Sequence, residues 1–485
     1  MSMSMNELFS SVKIESLKGN GDVEINHIHF DSRKIEEGDL FVACRGTVSD
    51  GHQFIETAEK KGAKVIVCEE LPAVSNSEIT YVIVEDSLAV LSVLAHNYYG
   101  KPTKEIQLVG VTGTNGKTTI ATLLYRLFKR LGYKAGLLST IRNYVDDKEI
   151  AATHTTPDPL QLNALLAEMV AEGCEFCIME VSSHAIDQKR IGALQYKGGI
   201  FTNITHDHLD YHKTFDAYLK VKKSFFDNLG KTSFAITNAD DKNGKLMLQN
   251  TKAHKFLYSS RSFADFRCRI LEKHFTGMLL EIDGLEIWTN FIGDFNAHNL
   301  LAVYAAARLL NQDKEEVLRG ISELTSVDGR FESIISSNGV MAIVDYAHTP
   351  DALKNVLETI EALRTGNEQI ITVVGSGGDR DKTKRPLMAK ISADLSDKVV
   401  LTSDNPRSEE PDLIILDMKE GVDADNLRKV LTITDRREAI RTACMLAQKG
   451  DIILVAGKGH EDYQEIKGVK HHFDDKEVIQ EFFKL

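Results

Sequence analysis

The stretch Leu108 to Thr119, L-V-G-V-T-G-T-N-G-K-T-T, constrains this chain more than any other, because an apolar strand-like run breaks into a glycine-rich turn and then enters a helical pattern. Strand, glycine turn and helix in that order make a phosphate cradle: backbone N–H groups at a helix N-terminus point at the anion. Gly110, Gly113 and Gly116 are expected to let the backbone wrap the phosphate, and Lys117 supplies a cation for its outer oxygens. Thr118 then carries its hydroxyl where Mg²⁺ would sit. A strict Walker A pattern would have glycine at position 111, where Val111 stands, so the loop is a variant of that motif.

Such a cradle must be filled by an anion, and the chain's overall charge narrows which one. With 58 basic and 71 acidic residues the net charge is −13, which argues against nonspecific binding to nucleic acid or to an anionic membrane. An anionic ligand must therefore be held by local basic groups. The opening Met1–Met5 has neither a basic nor an apolar leader character, and no run approaches the ~20 apolar residues of a membrane span, so a cytoplasmic protein without membrane insertion is expected. Six cysteines in 485 residues are too few for a disulfide scaffold. Cys174 and Cys177 form a C-x-x-C, but the surrounding E-F-C-I-M-E-V reads as a buried strand.

The length predicts about three domains. Residues 1–101 mix short strands (23–28, 40–43, 65–68, 80–84) with helices near 54–61 and 88–99, a small α/β domain closed by Lys101-Pro-Thr. Residues 102–328 alternate strand and helix after the phosphate loop (helix 120–131, strand 135–139, helix 160–172, strand 176–181), the pattern of a parallel, doubly wound sheet. Residues 329–485 show four more strands, at 340–345, 369–374, 398–402 and 451–456, separated by helices such as 350–363 and 437–448. The expected class is α/β: a small N-terminal domain, a central P-loop parallel-sheet domain and a Rossmann-like C-terminal domain.

Open parallel sheets place ligand groups at the carboxyl ends of their strands. Glu180 ends one such strand, and a carboxylate near the loop threonine suits Mg²⁺. The run T-H-D-H-L-D-Y-H at 205–212 holds three histidines and two aspartates that could ligate a divalent ion or stand as a polar surface loop. In the third domain, G-S-G-G at 375–378, D-N-P-R at 404–407 and G-K-G-H-E at 457–461 each follow a strand, so they converge on one edge if the sheet is parallel. Composition alone makes the lysines of Y-L-K-V-K-K-S-F-F, at 218–226, a solvated helix face.

Taken in order, G-T-N-G-K-T at 113–118, E-V-S-S-H at 180–184, H-D-H-L-D-Y-H at 206–212, N-A-D-D at 238–241, G-x-F-N-x-x-N at 293–299, G-R-F-E at 329–332 and D-Y-A-H-T-P at 345–350 resemble the Mur ligases. These are ATP-dependent, amide-forming enzymes of peptidoglycan precursor synthesis, and the resemblance spans essentially the whole chain. D-S-R-K with G-D-L-F-V-A near residue 31, T-T-P-D at 155–158 and D-N-P-R-x-E-E-P at 404–411 resemble the member that adds the third amino acid, a diamino acid.

The resemblance implies roles position by position. Gly113, Thr114, Asn115, Gly116, Lys117, Thr118, Thr119, Asn299, Arg330 and Asp345 match ATP-contacting positions. Thr118, Glu180, His208 and a carbamylated Lys222 match the Mg²⁺ site, with Lys117, Lys222, Glu180 and His208 as the catalytic set. Lys222 depends on an ungapped count from the histidine cluster, with Lys220 and Lys223 close by; Lys213 replaces the family's glycine after the last histidine. Ser32 matches a uridine diphosphate contact, and Thr155, Thr156, Ser182, Gln188 and Arg190 match positions holding the rest of UDP-N-acetylmuramoyl-L-alanyl-D-glutamate. Arg380, Asp404, Asn405, Pro406, Arg407, Gly457 and Glu461 match the amino-acid site, where Arg407 would pair the distal carboxylate of meso-diaminopimelate that L-lysine lacks. The implied partners are small molecules and the implied state a monomer. Three alternatives predict other behaviour: the same reaction with lysine, a folylpolyglutamate-synthase-like ligase, and a non-enzymatic P-loop switch. Because Lys117 and Arg330 fall in separate domains yet would meet one ATP, the third domain is expected to close on the second.

Overall fold

A computed structural model describes residues 2–46 and 49–484; Met1, Thr47, Val48 and Leu485 lie outside the described residues. Three large sheets follow one another along the chain, with two two-stranded ones beside them among the described residues. The N-terminal sheet has five strands in the order Ser16–Lys18, Thr80–Ile83, Val65–Cys68, Leu40–Val42, Ile28–His29, parallel except for the first. The expected strand over 23–28 is split: Glu24–Ile25 pairs with Met3–Ser4, and only Ile28–His29 joins the main sheet.

The central sheet has eleven strands. Its parallel core runs Ala135–Leu138, Phe176–Glu180, Gln107–Thr112, Gly198–Phe201, Phe234–Asn238, His254–Ser259. The Gln107–Thr112 strand lies between Phe176–Glu180 and Gly198–Phe201, with Glu180 opposite Val111 and Phe201 opposite Thr112. That register delivers the phosphate loop, Glu180 and Asn203 to one edge. The sheet is not parallel throughout, as the sequence pattern suggests. Antiparallel pairing extends both sides: Arg142–Val145 with Lys148–Ala151 on one, and on the other Gly277–Ile282 and Leu285–Thr289, which follow Phe266–His274, itself parallel to His254–Ser259. The cause is local turn chemistry: Asp283-Gly284 takes positive φ at both residues (50° and 78°), the two-residue turn that folds a strand back on itself.

The helix Lys117–Arg130 packs one side of this sheet with Asp294–Leu309, burying Ile120, Leu123, Leu124, Leu127 and Phe128 against Leu300, Leu301 and Tyr304. The helix Phe215–Asp227 covers the other side and carries Lys222. Gly110 belongs to this packing and not to the phosphate cradle, which corrects the sequence expectation. It is a strand residue, and a Cβ there would lie 2.7 Å from Phe225 and 3.0 Å from Tyr196. Glycine lets the Lys222 helix approach the sheet closely.

The C-terminal sheet has six strands, ordered Glu332–Ile335, Met341–Asp345, Ile452–Ala456, Ile370–Ser376, Lys398–Ser403, Val430–Thr432. The four strands read from the sequence form its parallel centre, and two short edge strands are added, Glu332–Ile335 antiparallel and Val430–Thr432 parallel. Among the described residues no helix is long and apolar enough to cross a membrane. All six cysteines are free, and Cys174 and Cys177 are buried.

Gly110→Ala is expected to force the Lys222 helix outward. Over-packing of this kind costs about 1–3 kcal/mol, and urea unfolding should show that loss; a variant as stable as the parent would contradict the packing role.

Candidate active site

The loop after the Gln107–Thr112 strand turns on two glycines at positive φ, Gly113 at 153° and Gly116 at 89°, before the helix begins at Lys117. Side chains are excluded there by contact as well as conformation: a Cβ on Gly113 would sit 1.9 Å from Thr202 Oγ1, and one on Gly116 would sit 2.7 Å from Asn299 Oδ1. The neighbouring strand end holds the loop from beneath. Thr114 N donates to Asn203 O (2.8 Å), Asn115 N to Asn203 Oδ1 (2.9 Å), and Thr202 Oγ1 to Asn115 O (2.6 Å). Lys117 Nζ folds along the rim, donating to the carbonyls of Gly113 and Thr114 at 3.0 and 2.8 Å.

Glu180, fully buried, faces this loop. Thr118 Oγ1 donates to its Oε2 at 3.0 Å, Thr140 N to Oε1 at 2.8 Å and Thr140 Oγ1 to Oε2 at 3.2 Å. These donors are all neutral, so the buried carboxylate is charge-balanced only at longer range. A hydroxyl and an uncompensated carboxylate 3.0 Å apart fit Mg²⁺, a hard cation that takes oxygen ligands and completes its shell with water and phosphate. Among the described residues no cluster of three or more His, Cys, Asp or Glu is arranged as a metal site, so the 205–212 run is not a metal centre by itself. Its members turn to separate partners instead: His206 Nε2 lies 3.2 Å from Asp381, His208 Nε2 3.3 Å from Asp207, and His212 Nε2 2.9 Å from Ser183 Oγ. His208 still faces the cleft, its ring 5.0 Å from that of His184.

Lys222 is 1% exposed, and its Nζ donates to Gly113 O (2.9 Å) and Thr112 Oγ1 (3.3 Å). This corrects the solvated-face expectation and separates the three lysines, since Lys220 is exposed and Lys223 pairs with Asp227 (2.7 Å). Burial, and then the nearby Lys117, hold the Lys222 amine well below an ordinary lysine's proton affinity.

A second wall of the cleft, about 1100 Å³ in all, comes from the C-terminal domain. Among the described residues three polar side-chain contacts cross to the central domain: Arg330 Nη2 donates to Thr118 Oγ1 (3.2 Å), Asn115 Nδ2 to Asp351 Oδ2 (3.2 Å), and His206 meets Asp381. Lys117 and Arg330 therefore do share one site. Arg330 stacks its guanidinium 4.5 Å from the Tyr346 ring centre, and its buried Nε has no partner among the described residues. Asp345 Oδ2 accepts from Phe331 N at 2.7 Å, and burial raises this carboxyl to about 6. Asn299 lines the same cleft beside Gly116.

Thr156, Ser182 and Arg190 meet beyond Glu180. Thr156 Oγ1 donates to Glu180 O (2.8 Å), Ser182 N to Thr156 Oγ1 (3.1 Å), and Arg190 Nη1 to Thr156 O (2.9 Å). Gln188 is set back and holds Arg190 through its Oε1 at 2.6 and 3.0 Å, while Thr155 joins Thr140 at 3.1 Å. Ser32 is not brought into this cleft; it lies in a short turn, Ser32–Lys34, of the N-terminal domain.

The three C-terminal loops do converge. Asn405 Nδ2 donates to Glu461 Oε2 (2.7 Å), and Lys458 Nζ lies 3.3 Å from both Asn405 Oδ1 and Glu461 Oε2. Lys458 and Arg436 hold Asp404 below the usual carboxylate range despite its burial, while burial and then Asp404 raise Glu461. Glycines of both flanking loops serve packing against D-N-P-R: a Cβ on Gly378 of G-S-G-G would lie 1.9 Å from Pro406 O, and one on Gly457 of G-K-G-H-E 2.5 Å from Asp404 Oδ2. Arg407 Nη1 donates to Gly378 O (2.8 Å). Glu409 of the same motif is structural, accepting from the buried Arg385 at 2.8 and 3.0 Å. Arg380 lines the cleft nearby.

Sequence reasoning singled out none of His348, Lys384 or His460, which face this cleft, nor Lys458, which is buried behind it. Burial lowers Lys117, Lys384, His348 (to about 4) and His460 (to about 3). The cleft thus concentrates basic groups away from water in an acidic chain, and a polyphosphate would relieve that cost. Lys458 had a signal: a lysine between two glycines at a strand end, 0% exposed in the structure.

Arg330→Met should lower kcat at least ten-fold in an ADP-release assay by removing a charge-assisted donor at the loop threonine; unchanged turnover would contradict the cross-domain contact. Asp345 titrates at about 6 in the native state against 3.8 for a free side chain, so the native state binds the extra proton between those values. Its contribution is complete below about pH 4 and is lost as pH rises through about 6, a fall of roughly 3 kcal/mol at most. Asp345→Asn should flatten the stability difference between about pH 4.5 and about pH 7 in urea titrations; an unaltered difference would refute it.

Family profiles match the chain in three segments: residues 24–99 the Mur ligase family catalytic domain, 111–307 the Mur ligase middle domain, and 329–459 the Mur ligase glutamate ligase domain. A Bacteroides thetaiotaomicron protein named UDP-N-acetylmuramoyl-L-alanyl-D-glutamate--2,6-diaminopimelate ligase is 57% identical over 481 residues, covering 99% of this chain and 100% of that protein. A solved structure of a ligase with that name is 32% identical, with a TM-score of 0.70 over 100% of this chain and 99% of its own. A Mycobacterium tuberculosis folylpolyglutamate synthase, solved with ADP and AMPPCP, shares the fold at 18% identity, with a TM-score of 0.63 over 77% of this chain and 93% of its own.

Proposed function

The chain belongs to the Mur ligase family, and on that premise we propose that it joins 2,6-diaminopimelate to UDP-N-acetylmuramoyl-L-alanyl-D-glutamate by an ATP-driven amide ligation of peptidoglycan precursor synthesis. The observation that carries this reading is the meeting of two half-sites in one cleft: a phosphate loop with Lys117, Thr118 and Glu180, and the Asn405, Arg407 and Glu461 loops facing it. Those groups lie in one chain, which suits a monomer working on small molecules in the cytoplasm.

The D-glutamyl γ-carboxylate attacks the γ-phosphate of ATP, giving an acyl phosphate and ADP; the amine of diaminopimelate then attacks the carbonyl and phosphate leaves. Lys117, once its Nζ leaves the Gly113 and Thr114 carbonyls, and Arg330 at Thr118 would offset the charge of the transferring phosphoryl group. Thr118 and Glu180, with His208 and a carbamylated Lys222, would hold Mg²⁺, which supplies charge neutralisation on the phosphates. A lysine ammonium cannot ligate a cation, and the burial that lowers the proton affinity of Lys222 favours the neutral amine that reaction with CO₂ requires. Arg190, held by Gln188, and Thr155, Thr156 and Ser182 suit the nucleotide-sugar peptide, and Ser32 the distant uridine end.

Selection of the amino acid rests on Arg407, with Arg380, Asp404, Asn405 and Glu461 around it. A guanidinium left without its carboxylate partner disfavours lysine, a penalty of several kcal/mol at a desolvated site. Arg407→Ala should abolish diaminopimelate-dependent ADP release; turnover equal to the parent enzyme, or parent enzyme equally active with lysine, would overturn the assignment.

A further inference from the structure

The hairpin Tyr463–Ile466 / Val469–His472 stands beside the proposed amino-acid site, and no motif draws attention to it. It turns through Lys467 and Gly468, both at positive φ (49° and 79°), which fixes its register. Its first strand is laid along the D-N-P-R loop by four contacts. Gln464 Nε2 donates to Asp404 O (2.7 Å), Glu465 N to Asn405 Oδ1 (2.8 Å), Arg407 N to Glu465 O (3.0 Å), and Lys467 N to Arg407 O (2.7 Å). A single parallel bridge pairs Arg407 with Ile466, which seats the loop against the edge of the hairpin. Arg407 has φ of 52°, a conformation a side-chain-bearing residue keeps only when its surroundings enforce it. The enforcing groups are these hairpin contacts.

We propose that this hairpin is the template that sets amino-acid selectivity, and that Gln464 is a positioning residue for Asn405 and Arg407. The proposal rests on the reading of this site as the diaminopimelate site. Gln464 itself does not line the cleft, although the adjacent Tyr463 and Lys470 do, with Lys470 Nζ 3.9 Å from the Tyr463 ring centre. Gln464 acts at one remove. Its amide satisfies the carbonyl of Asp404, the first residue of the loop, and anchors the strand from which Glu465 reaches both Asn405 and Arg407.

Gln464→Leu keeps the bulk and loses the donor; Gln464→Asn keeps the amide and falls one methylene short. Both should raise KM for diaminopimelate about ten-fold, the effect of one lost buried hydrogen bond on a bound group. KM for ATP and for UDP-N-acetylmuramoyl-L-alanyl-D-glutamate should stay within about two-fold, because among the described residues the hairpin makes no hydrogen bond to the phosphate loop or to Thr156, Ser182 and Arg190. A merely structural residue would move all three constants together. An unchanged diaminopimelate KM in both variants, or an equal rise in all three, overturns the proposal. Parent enzyme that releases no ADP with diaminopimelate would instead defeat the underlying reading, so the two failures are distinct.

Discussion

The hydrogen bond from Thr118 to Glu180 is the contact on which the site depends. It links the first turn of the helix after the phosphate loop to the end of the adjacent strand, and it exists because Glu180 sits opposite Val111 in a parallel ladder. A slip of one residue in that pairing would turn Glu180 to the other face of the sheet. The same ladder carries Thr202 and Asn203 under the loop from the other side. A carboxylate this deeply buried with only neutral donors is costly by itself. The structure offsets it with cations held just beyond contact, Lys117 in the loop and Arg330 across the domain boundary.

Arg330 joins the two halves chemically. It reaches Thr118 from the C-terminal domain while the neighbouring Asp345 binds the backbone of Phe331, so the arginine is fixed by its own strand edge before it crosses. The amino-acid loops leave the same edge of the same sheet, at Ser376, Ser403 and Ala456. One sheet thus places Arg330, at the phosphate loop, and Arg407, at the D-N-P-R loop, on one rim. Proximity of three reactants follows from strand polarity rather than from any single binding group.

Much of this was legible in the sequence because it is local. The phosphate loop, the four central strands of the third domain and the three loops that follow them are each written in a short run of residues. What was illegible is what depends on partners distant in sequence. Gly110 looks like part of the cradle until Phe225 and Tyr196 are seen against it. Lys222 reads as a solvated lysine because helical spacing does not reveal that its face packs under the phosphate loop; only the family resemblance singled it out. The histidine run looked like a metal site by density, yet its rings disperse to Asp381, Asp207 and Ser183. Lys458 and the hairpin after it matter through contacts to Asn405 and Arg407, which no periodicity encodes.

In the proposed reaction the phosphate loop passes a phosphoryl group to an oxygen of a carboxylate held beside it, and the C-terminal loops deliver the amine to the carbon of that carboxylate. The most direct test uses UDP-N-acetylmuramoyl-L-alanyl-D-glutamate labelled with ¹⁸O in the γ-carboxylate, with ATP and diaminopimelate, followed by mass analysis of the phosphate released. Acyl-phosphate chemistry in this cleft predicts that each phosphate carries one ¹⁸O atom from the carboxylate. Phosphate free of the label would mean that ATP is hydrolysed without activating that carboxylate, and the account would be wrong.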